Sequence, residues 1–426
     1  MKRLSINEAK ELAGRSQSVL NIGTTGHVDH GKTTLAWILS GVWAARHSEE
    51  MRRGVTLRLG YSDVVALKCP NCPPPQCYTT LHLSGWTCKH CGSPLMFLRK
   101  FSFVDCPGHE MLMATMLAGA TLMDGALLVI DATTPCPQPQ TREHLKALEI
   151  IGVNKIIVVQ NKIDVVPKEK ILEHYQQILA FIKDSPAQDA PIIPISALHG
   201  VNVDVLLQAI DELMPTPVRD ESKPPRMYVA RSFDVNKPGT TPEELKGGVL
   251  GGSIVQGVLR VGEEVEIRPG LRVEKGGGRV EYEPLFTEVV SLRGGDVNLE
   301  AARPGGLIGV GTTLDPSLTK ADSLVGNIVG KPGTLPEVWW ELDLEVYLLE
   351  KAVGTAEQVK VEKIKANELL MLNVGTATTI GTAMPLSENK VRVKLRRPVC
   401  AEVGSRVAIS RQIGGRFRLI GYGMIE

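Results

Sequence analysis

Long apolar runs are missing from this 426-residue chain. The longest, such as residues 126–130 and 156–159, fall far below the roughly 20 residues that a helix needs to cross a bilayer. The opening Met1-Lys2-Arg3-Leu4-Ser5-Ile6-Asn7-Glu8 has no apolar core of a secretory leader. A charge excess is missing too: 48 Lys and Arg stand against 47 Asp and Glu, a formal net charge of +1. That balance excludes the basic field of a histone-like nucleic-acid coat, although it leaves room for a local basic face. Cysteines number only 8, too few and too unevenly placed for a secreted disulfide framework. No short-period repeat or low-complexity tract is present. The remaining composition, 43% hydrophobic and 22% charged, is that of folded domains with buried cores. A soluble, cytoplasmic protein without a membrane role is expected.

At roughly 150 residues per domain, the length suits three domains. Through the first half, short apolar runs at residues 20–24, 101–104, 126–130, 156–160 and 191–195 alternate with helical patterns. Such alternation predicts a mostly parallel sheet covered on both faces. A Pro- and Cys-rich piece, residues 68–92, fits neither period. After Pro215-Thr216-Pro217 the texture changes. Asp220-Glu221-Ser222-Lys223-Pro224-Pro225 reads as a linker, and glycine-punctuated β-branched runs follow, as in closed β-barrels. A second break falls at Lys331-Pro332-Gly333. The expected architecture is an α/β domain over residues 1–219, then β-barrels over 220–331 and 332–426.

Gly26-His27-Val28-Asp29-His30-Gly31-Lys32-Thr33 has the phosphate-loop spacing, after a strand and opening a helix. In that context the loop's backbone N–H groups can close around phosphate oxygens, Lys32 neutralises their charge, and Thr33 ligates Mg²⁺. Asp29, His30, Gly31, Lys32, Thr33 and Thr34 are therefore candidate nucleotide contacts. Three more elements follow in the order a GTPase needs. Asp105-Cys106-Pro107-Gly108 can hold Mg²⁺ through water and offer the Gly108 amide to a γ-phosphate. Asn161-Lys162-Ile163-Asp164 places a carboxylate to accept from guanine N1–H and its exocyclic amine, groups that adenine does not present there. Ser196-Ala197-Leu198 can contact guanine O6 through the backbone. Each triplet alone is as easily a solvated turn. Four in order, each at a strand's C-terminal end, point to a guanine-nucleotide site and make residues 1–219 an expected α/β P-loop GTPase domain. Arg52-Arg53-Gly54-Val55-Thr56-Leu57 lies between the first two elements, where a mobile loop could bring Thr56 onto Mg²⁺ when a γ-phosphate is present.

Cys69 and Cys72, then Cys88 and Cys91 after fifteen intervening residues, form a paired Cys-x₂-Cys arrangement with zinc-ribbon spacing. Four thiolates around Zn²⁺ leave no position for substrate, so the predicted site is structural. Cys77 and His90 sit at no repeated knuckle position, and a reduced cysteine loop is the bland alternative. Farther on, Lys390, Arg392, Lys394 and Arg396 alternate with Val391, Val393 and Leu395. On a strand this puts four cations on one face, either a phosphate-binding surface or an ordinary solvated barrel face. Trp339 and Trp340 could stack on a base, but packing in a core is the expectation.

These residues carry a family resemblance. The phosphate loop, the Arg-Gly-Val-Thr segment and Asp105-Cys106-Pro107-Gly108-His109 resemble those of the translational GTPases, as do the two barrels. The cysteine insert, Pro135-Cys136-Pro137-Gln138-Pro139-Gln140-Thr141-Arg142-Glu143-His144 and Arg231-Ser232-Phe233-Asp234-Val235-Asn236-Lys237-Pro238-Gly239 are similar to the gamma-subunit family of archaeal and eukaryotic initiation factor 2. The resemblance implies GTP/GDP as ligands, Thr33 and Thr56 as Mg²⁺ ligands, Asp29 and the Gly54 backbone at a second Mg²⁺, and His109 orienting the attacking water. Asp29, Lys32, Thr56 and His109 would then be the residues of GTP hydrolysis. Implied partners are alpha and beta subunits, methionylated initiator tRNA and the small ribosomal subunit. An elongation factor for aminoacyl- or selenocysteyl-tRNA, a GTPase subunit of sulfate activation and a non-hydrolysing scaffold are the alternatives.

Overall fold

A computed structural model of the chain describes residues 6–43, 59–108, 112–276, 279–353 and 359–426. The chain forms two compact units, Met1–Pro217 and Val218–Glu426.

In the first unit, seven strands form one sheet: β1 (Asn21–Thr25), β2 (Gly60–Lys68), β3 (Tyr78–Thr80), β4 (Met96–Asp105), β5 (Gly125–Asp131), β6 (Ile156–Asn161) and β7 (Ile192–Pro194). Their order is β3-β2-β4-β1-β5-β6-β7. β4, β1, β5, β6 and β7 run parallel, as the alternation predicts, whereas β2 and β3 extend the sheet in antiparallel sense. Every residue of β5 is buried, the mark of a parallel strand covered on both faces. Among the described residues the α-helices are α1 (Ile6–Arg15), α2 (Lys32–Ser40), α3 (Leu81–Ser84), α4 (Met113–Ala120), α5 (Pro139–Ile151), α6 (Lys168–Ile182) and α7 (Val203–Leu213). Val203, Leu206, Leu207 and Ile210 recur at the i, i+3, i+4, i+7 positions of α7 and form its buried stripe. None of the described helices is long and apolar enough to cross a membrane.

The cysteine piece spans the loop between β2 and β3, then α3 and the approach to β4. Cys69, Cys77, Cys88 and Leu95 belong to the same buried cluster as α7 and the sheet. A polar tie reinforces it: Lys68 Nζ donates to Tyr78 Oη (2.8 Å), which donates to Asp211 Oδ2 on α7 (3.2 Å).

The second unit holds two six-stranded barrels. The first closes through Glu264–Lys275, Ile328–Gly330, Arg226–Phe233, Val249–Gln256, Ile308–Thr312 and Arg279–Gly294, whose last pairing returns to Glu264–Lys275. Val229, Leu250, Ile254, Ile267 and Val310 fill its interior. The second runs Val338–Leu348, Lys390–Cys400, Ala377–Pro385, Leu369–Val374, Arg406–Ile413 and Arg416–Ile425. Val391, Val393 and Leu395 point inward, which leaves Lys390, Arg392, Lys394 and Arg396 on the outer face as the alternation predicts. That face is not uniformly basic. Arg392 grips Asp343 through two bonds of 2.7 Å, and Lys390 pairs with Glu426 at 2.5 Å. Glu341 lies opposite Lys394 in the register. Of the two tryptophans, Trp339 packs against the barrel core as expected and Trp340 does not. Trp339 Nε1 donates to Ala401 O (2.9 Å) at the barrel margin, while Trp340 is 41% exposed and meets Tyr282 of the first barrel edge-on at 5.8 Å. Two aromatic neighbours on a strand must face opposite sides, so both cannot enter one core.

Candidate nucleotide and metal sites

The phosphate loop leaves the C-terminal end of β1 and enters α2. Three of its residues take positive φ: Gly26 (131°), Asp29 (61°) and Gly31 (88°). A side chain at Gly26 would strike the Val129 carbonyl, and one at Gly31 the Asn161 amide, so both positions require glycine. Lys32 opens α2 with its side chain turned back into the loop. Its Nζ donates to Gly26 O (3.0 Å) and His27 O (2.5 Å). Burial draws the ammonium pKa down to about 8, against the pull of Asp105. Thr33 Oγ1 donates to Asp105 Oδ2 (2.8 Å), and Thr24 Oγ1 to Asp105 Oδ1 (2.5 Å). The predicted Mg²⁺ partners Thr33 and Asp105 therefore touch, joining the first turn of α2 to the end of β4. Gly108 closes the pocket: a Cβ there would sit 2.6 Å from Lys32 Nζ and 2.9 Å from Val28 N. Gly54, Thr56 and His109 lie outside the described residues.

The base-side elements gather at the ends of β6 and β7. Asn161 is buried and ties loops together, its Nδ2 donating to His30 O (2.9 Å) and its Oδ1 accepting from Ala197 N (3.0 Å). Lys162 adopts a left-handed conformation (φ 63°) and pairs with Asp131 Oδ2 at 2.6 Å. Burial alone would raise the Asp131 carboxyl, but bonds from Lys162 and Thr133 carry it below the usual carboxylate range. Ile163 N donates to Ile195 O (3.3 Å). The Asp164 carboxyl is held low by hydrogen bonding from Ser196, with His199 Nε2 at 3.6 Å assisting. It is thus an ionised acceptor. Leu198 stands 64% exposed beside it.

Sequence reasoning passed over Thr24, Asp131, His144 and His199. Asp131 ends a buried strand at the sheet's C-terminal edge, a signal it could have used. His144 was visible only as part of a longer motif. Its Nδ1 accepts from Gly26 N at 2.8 Å, and burial draws its pKa down to about 3.

The four predicted zinc ligands converge. The Sγ atoms of Cys69, Cys72, Cys88 and Cys91 all lie within 4.8 Å of one another, with Cys69–Cys91 at 3.5 Å and Cys72–Cys88 at 3.6 Å. A tetrahedron with Zn–S bonds of ~2.3 Å sets its sulfurs about 3.8 Å apart, so the thiols fit one ion. Asn71 N points at Cys69 Sγ (3.5 Å), as a supporting amide does. Cys77 is buried apart from this group, and none of the 8 cysteines forms a disulfide.

Comparison with known proteins bears on both sites. Residues 17–216 match the family described as elongation factor Tu GTP binding domain, and residues 340–425 match initiation factor eIF2 gamma, C terminal. The chain is 60% identical over 410 residues to the translation initiation factor 2 subunit gamma of Pyrococcus horikoshii, covering 96% of this chain and 98% of that one. With its counterpart from Methanothermobacter thermautotrophicus the identity is 57%, covering 97% and 100%. The chain belongs to the gamma-subunit family of translation initiation factor 2. As a member of the initiation factor 2 gamma family it is a translation-initiation GTPase, and its GTPase domain implies GTP/GDP and Mg²⁺. Among solved structures, a bacterial selenocysteine-specific elongation factor shares the fold at TM-score 0.72 and 22% identity, covering 96% of this chain and 58% of that one. The Methanococcus maripaludis elongation factor SelB with a GTP analogue shares it at TM-score 0.70 and 22% identity, covering 96% and 79%.

Proposed function

We propose that the chain is the GTP-regulated carrier of methionylated initiator tRNA, the core of a heterotrimer with alpha and beta subunits that delivers this tRNA to the small ribosomal subunit in the cytoplasm. One observation supports the reading above the rest. Four guanine-nucleotide elements gather at one sheet edge in a chain 60% identical to an initiation factor 2 gamma subunit. The working parts are the GTP-binding domain over residues 1–219, its cysteine insert over 68–92, and barrels over 220–331 and 332–426.

In this reading the loop from Asp29 through Thr34 wraps the phosphates. Lys32 turns from the Gly26 and His27 carbonyls toward their negative charge. Asp164 accepts from guanine N1–H and its amine, Asn161 and Lys162 shape the base loop with Ile163, and Ser196, Ala197 and Leu198 close over O6. Thr33, Asp105 and Thr56 hold Mg²⁺, directly or through water, with Asp29 and Gly54 at a second ion. Bound Mg²⁺ supplies positive charge against the phosphate oxygens, and His109 positions the attacking water. Cys69, Cys72, Cys88 and Cys91 hold one structural Zn²⁺. Because GDP has no γ-phosphate, the Thr56 and Gly108 contacts are made only with GTP, and nucleotide state sets the population able to bind tRNA. Titration of labelled, charged tRNA against the assembled heterotrimer tests this. Initiator tRNA should bind more tightly with GTP than GDP and more tightly than elongator tRNA. Equal binding of both tRNAs in both states would reject the initiation-carrier reading; preference for an elongator tRNA would favour the elongation-factor alternative.

A further inference from the structure

The entry to the phosphate loop is held by a buried histidine on α5. His144 is 1% exposed, and its Nδ1 accepts the Gly26 amide at 2.8 Å. Gly26 is the point where β1 ends and the loop begins, at a φ of 131° that an L side chain disfavours. Its peptide unit is anchored on both sides of the residue: the N–H by His144, the carbonyl by Lys32 Nζ at 3.0 Å. These two anchors are not equivalent. Lys32 is the cation that a phosphate would attract, and once turned outward it leaves the Gly26 carbonyl. The imidazole is buried on α5 and carries no charge for a phosphate to draw outward.

We propose that His144 is a positioning residue for the phosphate loop, its unprotonated Nδ1 fixing the Gly26 amide so that the loop keeps its shape when Lys32 engages a nucleotide. The inference rests on the nucleotide site proposed above. An N–H cannot bond to an N–H, so the assignment requires the neutral ring with its proton on Nε2. The surroundings enforce that state. Burial opposes protonation, and the cationic or titratable groups nearest the ring, Lys32, His27 and His30, oppose it further. Helix α5 begins with Pro139 at its first turn, and Cys136 N just ahead donates to Gln177 Oε1 on α6 (3.0 Å), so the histidine sits on an anchored element. Gly26 and Lys32 alone would mark a phosphate loop; the partner on α5 comes from 118 residues away in sequence.

Release of fluorescent GDP and GTP from parent, His144→Ala and His144→Asn tests the role, with thermal melting measured alongside. The Asn side chain offers an oxygen acceptor near the place of Nδ1. His144→Ala should release both nucleotides about tenfold faster, the effect of leaving one buried amide unpaired, and His144→Asn should restore most of the retention. Release unchanged in a folded His144→Ala, or equally fast in a folded Ala and Asn pair, would overturn the proposal. Selective ¹⁵N-histidine spectra of parent and His144→Asn identify the ring by the signal that the variant loses, which in the parent should be a neutral imidazole protonated at Nε2 from about pH 8 to 5. A lost signal that titrates in that range, or that carries its proton on Nδ1, would overturn it equally. A parent that retains no guanine nucleotide would instead refute the nucleotide site itself.

Discussion

Replacing Asn161 with alanine is the most demanding probe of how the site is built. The side chain makes two buried bonds, to His30 O at 2.9 Å and from Ala197 N at 3.0 Å. Its own exposure is 2%, that of His30 is 2%, and that of Ala197 is 1%, so water cannot replace either bond without entering. Leaving a buried backbone acceptor or donor unpaired costs ~1–3 kcal/mol, which gives about 2–6 kcal/mol for the pair. The loss should divide between global stability and the shape of both loops. Urea unfolding with and without GDP, beside direct GDP titration, separates the two shares. We expect a clear fall in the unfolding midpoint and GDP affinity weakened at least about tenfold, the equivalent of ~1.4 kcal/mol. Asn161→Asp should do no better, because its second oxygen would face the His30 carbonyl instead of donating to it. An alanine variant with the parent's midpoint and GDP affinity would show that the two bonds do not hold the site together.

Two further outcomes follow from the same geometry. Asp164→Asn should weaken GTP binding and raise relative affinity for xanthosine triphosphate, since the exchanged amide meets a carbonyl; nucleotide titration showing neither change would remove Asp164 from base recognition. Protein purified without added metal should carry close to one zinc, about one equivalent per four-thiolate site, and Cys88→Ser should lose most of it while retaining GDP. Metal analysis indifferent to that substitution would refute the four-sulfur site.

The parts legible in sequence were those whose chemistry is local. Parallel strands such as β5 and β6 read as continuous apolar runs because both faces are covered. The barrel strand at residues 390–396 read as an alternation because only one face is. The phosphate loop was legible because positive φ at Gly26 and Gly31 demands glycine at a fixed spacing. The four-cysteine cluster was legible because two knuckles repeat. Partners brought together by the fold were hidden. Nothing near Lys390 or Arg392 announces Glu426 or Asp343, so a stripe of cations looked freer than it is. Strand β2 also escaped, since Gly-Tyr-Ser-Asp-Val-Val-Ala-Leu-Lys mixes polar and apolar residues without a clean period. It lies antiparallel at a sheet margin, where β3 and α3 cover it.

In the proposed reading, Asn161 and Asp131 join phosphate and base recognition in one site. They end neighbouring parallel strands and pair directly in the register. Asn161 reaches sideways to the His30 carbonyl of the phosphate loop and to the amide of Ala197, so one side chain fixes the spacing of loops that begin 131 and 36 residues away from it. Asp131 performs the complementary task. Held by Thr133 N (2.8 Å) and Thr133 Oγ1 (2.7 Å), its carboxylate pairs with the Lys162 ammonium at 2.6 Å, beside a left-handed Lys162 backbone that non-glycine residues rarely adopt. That backbone state turns the chain so that Asp164 follows beside Ser196. A substitution at Asp131 would therefore act on guanine affinity through Lys162, although Asp131 itself has no guanine contact to make.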